Sequence, residues 1–349
     1  MLAACFEKFR GSIQVASVAD PVVSSDGVVI AVRAAGVCRS DWHGWQGHDA
    51  DIKTLPHIPG HEFAGEIIEV GSEVRNWRVG DRVTMPFAAG CGTCRECAAG
   101  AAQVCDRQFQ PGFTAWGAFA DAVAVPFADF NLVRLPESLD FVTAAALGCR
   151  LATAYRAVAL QGKVAPGEWV AVHGCGGVGL SAVMVAAALG ARPIAIDVRK
   201  ESLEMARQFG AEKLVDARTT EDVGCEIREL TDGGAQVSLD ALGSAATAVN
   251  SIKSLRKRGR HVQVGLLAGS EYQPRLPMEL VIGRELEIYG SHGLAAADYS
   301  PLLELILTGK LPVSSLVRKR ISLAEAPAAL VEMGNFGDPG ITVIDRFNG

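Results

Sequence analysis

A chain of 349 residues with 49% hydrophobic and 21% charged side chains can fill two cores, which excludes a disordered protein. A formal charge of −6, with no basic run longer than Arg256-Lys257-Arg258 or Arg318-Lys319-Arg320, argues against nucleic acid as a partner. Nine cysteines, four of them at close spacing, fit thiols and metal better than a disulfide framework, so a cytoplasmic setting is expected.

The opening residues, Met1-Leu2-Ala3-Ala4-Cys5-Phe6-Glu7-Lys8, lack the charged-then-apolar order of a secretory signal. From there to about residue 150, short apolar runs alternate with Gly, Pro and Asp: 27–32, 65–70 and 119–125 are examples. Such runs without helical periodicity between them predict a β-rich, barrel-like domain. Near residue 150 the pattern changes. Trp169-Val170-Ala171-Val172-His173 predicts a buried strand, followed by a Gly-rich turn and a helix over 177–190. Strands are then expected at 193–197, 213–216, 237–240, 261–264 and 286–289, with a helix over 200–209. This alternation predicts an α/β chain whose second domain is a doubly wound parallel sheet. The stretch 178–191 is apolar but too short to span a membrane. A helix over 299–308 and short strands follow.

Two cysteine layouts carry the chemistry. Cys91, Cys94, Cys97 and Cys105 form a C-x2-C-x2-C-x7-C run, suited to a closed structural zinc held by four thiolates of one loop. Cys38, His61-Glu62 and Cys149 are far apart in sequence and suit an open catalytic zinc site assembled by folding. Taken singly, each of these has an ordinary reading as a buried thiol, a satisfied imidazole or a solvated carboxylate.

Gly174-Cys175-Gly176-Gly177-Val178-Gly179 satisfies G-x-G-x-x-G between a predicted strand and a predicted helix, the context in which that motif binds a dinucleotide pyrophosphate. Asp197 ends the next strand, where a carboxylate bonds an adenosine ribose and repels a 2′-phosphate. NAD is therefore expected over NADP, although Arg199 and Lys200 lie close by.

With these pieces together, the chain resembles the zinc-dependent medium-chain alcohol dehydrogenases over essentially its whole length. The matching segments are G-V-C-R-S-D-W-H at 36–43, G-H-E at 60–62, G-D-R-V at 80–83, the four-cysteine run, G-C-R-L-A-T-A-Y at 148–155 and G-C-G-G-V-G at 174–179. The resemblance implies a GroES-like β-rich catalytic domain (1–150 and 291–349, with a zinc lobe over about 88–108) and a Rossmann domain (151–290). It implies Cys38, His61 and Cys149 as catalytic zinc ligands, Glu62 as an alternate ligand, and Asp41 as the carboxylate orienting the ligand His. Ser40 corresponds to the hydroxyl that bonds the substrate oxygen, and His43 to the end of a proton relay. Arg39 corresponds to a pyrophosphate contact, and Thr153 and Val178 to positions that pack on the nicotinamide. Val264, Gly265 and Leu266 are further expected cofactor contacts, and Phe87 an aromatic pocket wall. Cys5, Cys175 and Cys225 match no ligand position and are expected to be packing residues.

The expected reaction is hydride transfer between a primary or secondary alcohol and NAD, giving an aldehyde or ketone, in a homodimer or homotetramer without membrane or nucleic-acid partners. Trp42, Trp45, Phe87 and Trp116 suggest an apolar or aromatic substrate. The rival readings are a polyol or sugar dehydrogenase, a zinc-free quinone reductase, which the cysteines oppose, and a non-catalytic NAD- or zinc-binding protein.

Overall fold

A computed structural model describes residues 1–267, 272–335 and 339–347. Parts of the two expected domains, 268–271, 336–338 and 348–349, therefore lie outside the described residues. The first strands are β1 (Leu2–Phe6), β2 (Ile13–Ser17), β3 (Val28–Val37), β4 (Glu62–Val70), β5 (Arg82–Thr84), β6 (Ala122–Val125) and β7 (Val133–Arg134). There follow β8 (Trp169–His173), β9 (Arg192–Asp197), β10 (Lys213–Asp216), β11 (Ala235–Asp240), β12 (Leu255–Gln263) and β13 (Glu287–Gly290). The last are β14 (Val317–Ser322) and β15 (Ile341–Arg346).

Strands β8 to β13 form one sheet in the order β10-β9-β8-β11-β12-β13, parallel throughout. Every residue of β8 is buried, as a central strand covered on both faces requires. The helix Gly177–Ala188 is apolar on all sides because it is buried between sheet and neighbours. The second sheet runs β14-β15-β3-β4-β5-β7, with β6 also pairing β3. β3 and β4 extend beyond the apolar runs that predict them, to Val37 and back to Glu62. Small buried residues, Ala34, Ala35 and Gly36, allow β4 and β15 to flank β3 there, and the extension brings Cys38 and His61 to neighbouring strand ends.

One continuous core joins the sheets. Ala34 and Ala64 share it with Val170, Val172 and Val262, through the helical segment between residues 141 and 161. That segment contains two wide π turns, Leu147–Leu151 and Arg156–Gln161. Such turns recur at functional sites because they rotate side chains off the regular helical face. Among the described residues, no helix is long and apolar enough to cross a membrane.

Two buried histidines lie inside the parallel sheet. His261 Nδ1 is 2.9 Å from Ser251 Oγ, which donates to Ser238 Oγ at 2.8 Å, and His173 Nε2 is 3.5 Å from Ser254 Oγ. Burial, with His261 nearby, holds the His173 imidazole down at about 3, against an ordinary 6.5. The unfolded chain therefore binds a proton below pH 6.5 that the native state refuses. Stability is full above that value and falls toward pH 3, by about 1.4 kcal/mol per pH unit for each such group. We expect the urea midpoint to fall between pH 6.5 and 4.5, and His173→Gln to flatten that slope; parallel slopes for the two proteins would contradict this account.

Candidate active site

Three segments converge where the two sheets meet. β3 delivers Cys38, which caps the helix Arg39–Trp45; β4 begins one residue after His61; and the π turn Leu147–Leu151 carries Cys149. One donor atom from each of Cys38, His61 and Cys149 lies within 4.8 Å of the others, and all three residues are buried. Asp41 arranges two of them. Its Oδ1 accepts from Gly60 N at 2.9 Å and from His61 Nδ1 at 2.8 Å, while its Oδ2 accepts from Cys38 N at 3.1 Å. Since a carboxylate only accepts, Nδ1 carries a hydrogen and Nε2 is the nitrogen left for a metal; against the effect of burial, the charges of Asp41 and the Cys38 sulfur hold the metal-free imidazole well above its ordinary 6.5. Nε2 is buried and has no hydrogen-bond partner among the described residues.

A hydrogen bond from Cys149, followed by the charges of Arg150 and His61, holds the Cys38 thiol well below its ordinary range, against the effect of burial. Donating that hydrogen bond, together with burial, pushes the Cys149 thiol up. Two buried sulfurs and an orphaned imidazole nitrogen are the donor set that zinc prefers, with a fourth coordination position left open. Ser40 Oγ lies 3.9 Å from Cys38 Sγ. Glu62 is not in the three-atom group. Its carboxylate accepts from Arg150 through the backbone N at 2.8 Å, through Nε at 3.1 Å, and through Nη2.

The second cysteine group is local. The sulfurs of Cys91, Cys94, Cys97 and Cys105 all lie within 4.8 Å of one another. Backbone N–H groups of Cys91 and Arg107 point at Cys105 Sγ, both at 3.3 Å, and Arg107 Nη2 is 3.3 Å from Cys91 Sγ. Bonds from the Thr93 backbone and hydroxyl lower the Cys91 thiol to about 5. These donors favour the Cys91 thiolate, whereas burial pushes the Cys97 thiol up to about 12 and raises Cys105, so all four become thiolates together only with a cation among them.

The glycine-rich turn follows β8 and opens the helix Gly177–Ala188. A side chain at Gly179 would place its Cβ 1.8 Å from the Gly174 carbonyl oxygen, so close packing of turn and helix admits only glycine there. Gly176 faces open space. Asp197 Oδ2 accepts from Cys175 N at 2.6 Å and its Oδ1 from Arg199 N at 2.8 Å, so the carboxylate ties the turn to the end of β9. Val264 and Gly265 are fixed by their N–H groups on the Asp240 carbonyl, at 3.1 and 2.8 Å, and Leu266 is exposed beside them. Thr153 is buried with an unpartnered hydroxyl, Val178 is half-buried and Lys200 exposed. Arg39 stacks over Trp42 and donates to the Met333 carbonyl at 2.7 Å.

The aromatic surroundings differ from the expectation. Phe87 packs edge-on to His61, with ring centroids 6.0 Å apart. Trp45 is instead a core residue that donates to the Gly11 carbonyl, and Trp116 lines a surface groove with Met1 and Pro21. Their sequence nearness to Cys38 and Cys105 says nothing about direction in the fold. Phe113 takes the place expected of them, 5.2 Å from the His61 ring, and His292 closes on Phe87 at 5.1 Å. Sequence reasoning misses Phe113, His292, His48 and Arg150. His48 Nδ1 lies 3.1 Å from His43 Nδ1. Arg150 alone carried a readable signal, a single charge in the otherwise uncharged stretch 141–155.

The chain matches the family described as alcohol dehydrogenase GroES-like domain over residues 24–137, and that described as zinc-binding dehydrogenase over 177–308. It is 36% identical to an NAD-dependent alcohol dehydrogenase of Sulfurisphaera tokodaii, across 91% of this chain and 92% of that protein. A sorbitol dehydrogenase of Halalkalibacterium halodurans is 34% identical, across 88% of each. Among solved structures, the alcohol dehydrogenase TADH from Thermus sp. ATN1 superposes with a TM-score of 0.90 at 32% identity, covering 99% of this chain and 100% of that one. With this fold and these two cysteine groups, the chain belongs to the zinc-dependent medium-chain alcohol dehydrogenases.

Proposed function

We propose that the chain oxidises primary or secondary alcohols to aldehydes or ketones with NAD, holding catalytic zinc at Cys38, His61 and Cys149 and structural zinc at Cys91, Cys94, Cys97 and Cys105. The observation that carries this reading is the meeting of two buried sulfurs with the unpartnered Nε2 of His61. When bound, zinc there makes a substrate hydroxyl acidic, and the nicotinamide accepts hydride.

The chain's own residues do the rest. Asp41 holds a His61 hydrogen on Nδ1, so that Nε2 is the nitrogen offered to the metal. Ser40 Oγ takes the proton of the substrate hydroxyl and releases its own hydrogen toward His43. His43 receives a proton and passes it to the exposed His48, and so to solvent. Burial, and then the charges of Arg39 and His48, hold the His43 imidazole below its ordinary 6.5, so it is neutral and able to accept at pH 7. Thr153 and Val178 meet the nicotinamide, with Val264, Gly265 and Leu266 alongside. Gly174, Gly176, Gly177 and Gly179 cradle the pyrophosphate with Arg39, while Arg199 and Lys200 flank the adenosine end. Asp197 selects NAD by its charge, besides holding the turn.

The catalytic unit is residues 1–150 with 291–349, and the dinucleotide unit 151–290. Supporting this division, β14 and β15 join the sheet of β3, and β8 to β13 form the other. The setting is cytoplasmic and the assembly a homodimer or homotetramer. The edge position of β13, with Ile288 and the nearby Met278 and Ile282 exposed, supports a contact between subunits. Phe87 and Phe113 beside His61 favour an apolar or aromatic alcohol. The similarity to a sorbitol dehydrogenase favours a polyol as the second reading.

NADH formation across apolar, aromatic and polyol alcohols, with and without a zinc chelator, tests the proposal. Chelator-sensitive turnover is expected, and none on any class by zinc-loaded protein would contradict it. Cys38→Ala should abolish turnover while leaving NADH binding, read by fluorescence, unchanged; lost NADH binding would mean that the variant misfolds rather than loses metal. His43→Gln should lose rate mainly at neutral and acid pH, where proton release is hardest, and the His43-dependent acid limb of the wild type should lie below pH 6.5. A uniform loss across pH removes His43 from the relay. Cys94→Ser should lower the melting temperature before it lowers kcat per correctly folded site.

A further inference from the structure

Arg150 is 5% exposed although its guanidinium stays charged at any pH the fold survives. A buried cation has to be paired and hydrogen-bonded, and among the described residues every hydrogen bond this one donates falls on the same small region. Nε and Nη2 fork onto Glu62, joined there by the Arg150 backbone N–H, and Nη1 donates to the Val37 carbonyl at 3.1 Å. Each partner is the chain neighbour of a proposed zinc ligand. Val37 precedes Cys38, Glu62 follows His61, and Arg150 itself follows Cys149.

The space around the pair is kept clear by glycines. A Cβ at Gly36 would lie 2.7 Å from Glu62 Oε2 and 2.9 Å from Arg150 Nη2, and one at Gly177 would lie 2.5 Å from Arg150 Cδ. Gly177 opens the helix after the dinucleotide turn, so this side chain lies against both halves of the active site. Among the described residues Asp41 bonds Cys38, Gly60 and His61 but nothing in the third segment, which leaves Cys149 to be aligned by something else. A planar fork fixes direction as well as charge, which an ammonium does not.

We propose that Arg150 is a positioning residue that holds the three ligand-bearing segments in register for the metal, acting through Glu62 and the Val37 carbonyl. This rests on the reading of Cys38, His61 and Cys149 as one zinc site. The competing role is simpler, with Arg150 serving only to neutralise Glu62.

The test uses the full-length zinc protein and three variants: Arg150→Met, Arg150→Lys and the double variant Glu62→Gln/Arg150→Met. Zinc content and the rate of zinc release to a chromogenic chelator are read, with the lobe zinc as a slow internal control. The d–d spectrum after cobalt exchange reports ligand geometry. Outer-shell partners of metal ligands are worth about 10- to 100-fold in metal affinity, so Arg150→Met should release the catalytic metal at least about tenfold faster. Arg150→Lys should fall between Arg150→Met and the wild type, with an altered cobalt spectrum. The double variant should stay fast, because removing the Glu62 charge does not restore alignment. Wild-type release and spectrum in the double variant would overturn the proposal and leave charge neutralisation as the role. The same holds if Arg150→Met behaves as wild type. If Arg150→Met fails to fold, the double variant, which has no unpaired buried charge, decides alone. A wild-type protein that holds only the lobe zinc would refute the zinc-site reading itself.

Discussion

Asp41 carries the constraint on which the site depends. One buried carboxylate accepts from Cys38 N, Gly60 N and His61 Nδ1, and thereby joins the end of β3 to the start of β4. Those bonds fix the imidazole so that its free nitrogen faces two sulfurs rather than solvent. The long, small-residue ends of β3 and β4, the helix capped by Cys38 and the π turn bearing Cys149 all position groups around this arrangement.

The charge balance of the region explains why such a cluster can exist in a core. Asp41, Glu62 and two thiolates would bring four negative charges together, and Arg150 offsets only one of them. A dication brings the total close to neutrality, so metal binding and local folding belong to one equilibrium. The four-cysteine lobe solves the same problem in another way. There all ligands come from one loop, and backbone N–H groups with Arg107 donate to the Cys91 and Cys105 sulfurs.

What could be read in the sequence follows how local each feature is. The four cysteines and the glycine-rich turn lie within short windows whose spacing reflects their geometry directly. The alternation after residue 150 was legible because buried parallel strands and their helices leave strong periodic patterns. Cys38, His61 and Cys149 are singly ambiguous, and their resemblance to a known family's motifs joined them before folding could. Pocket walls were not legible. Trp45 and Trp116 are near the ligands in sequence yet point into the core and into a surface groove, while Phe113, in the same loop as Trp116, turns to His61. The Glu62–Arg150 pair spans 88 residues and left only the trace of one charge among uncharged neighbours.

The most direct test of the account is the zinc-edge anomalous difference map of crystals of the purified protein. The account predicts two peaks per chain, one within the four-cysteine lobe and one bonded to Cys38 Sγ, Cys149 Sγ and His61 Nε2, with Glu62 still paired to Arg150. A lobe peak alone, or a second peak that lacks His61 Nε2, would contradict it.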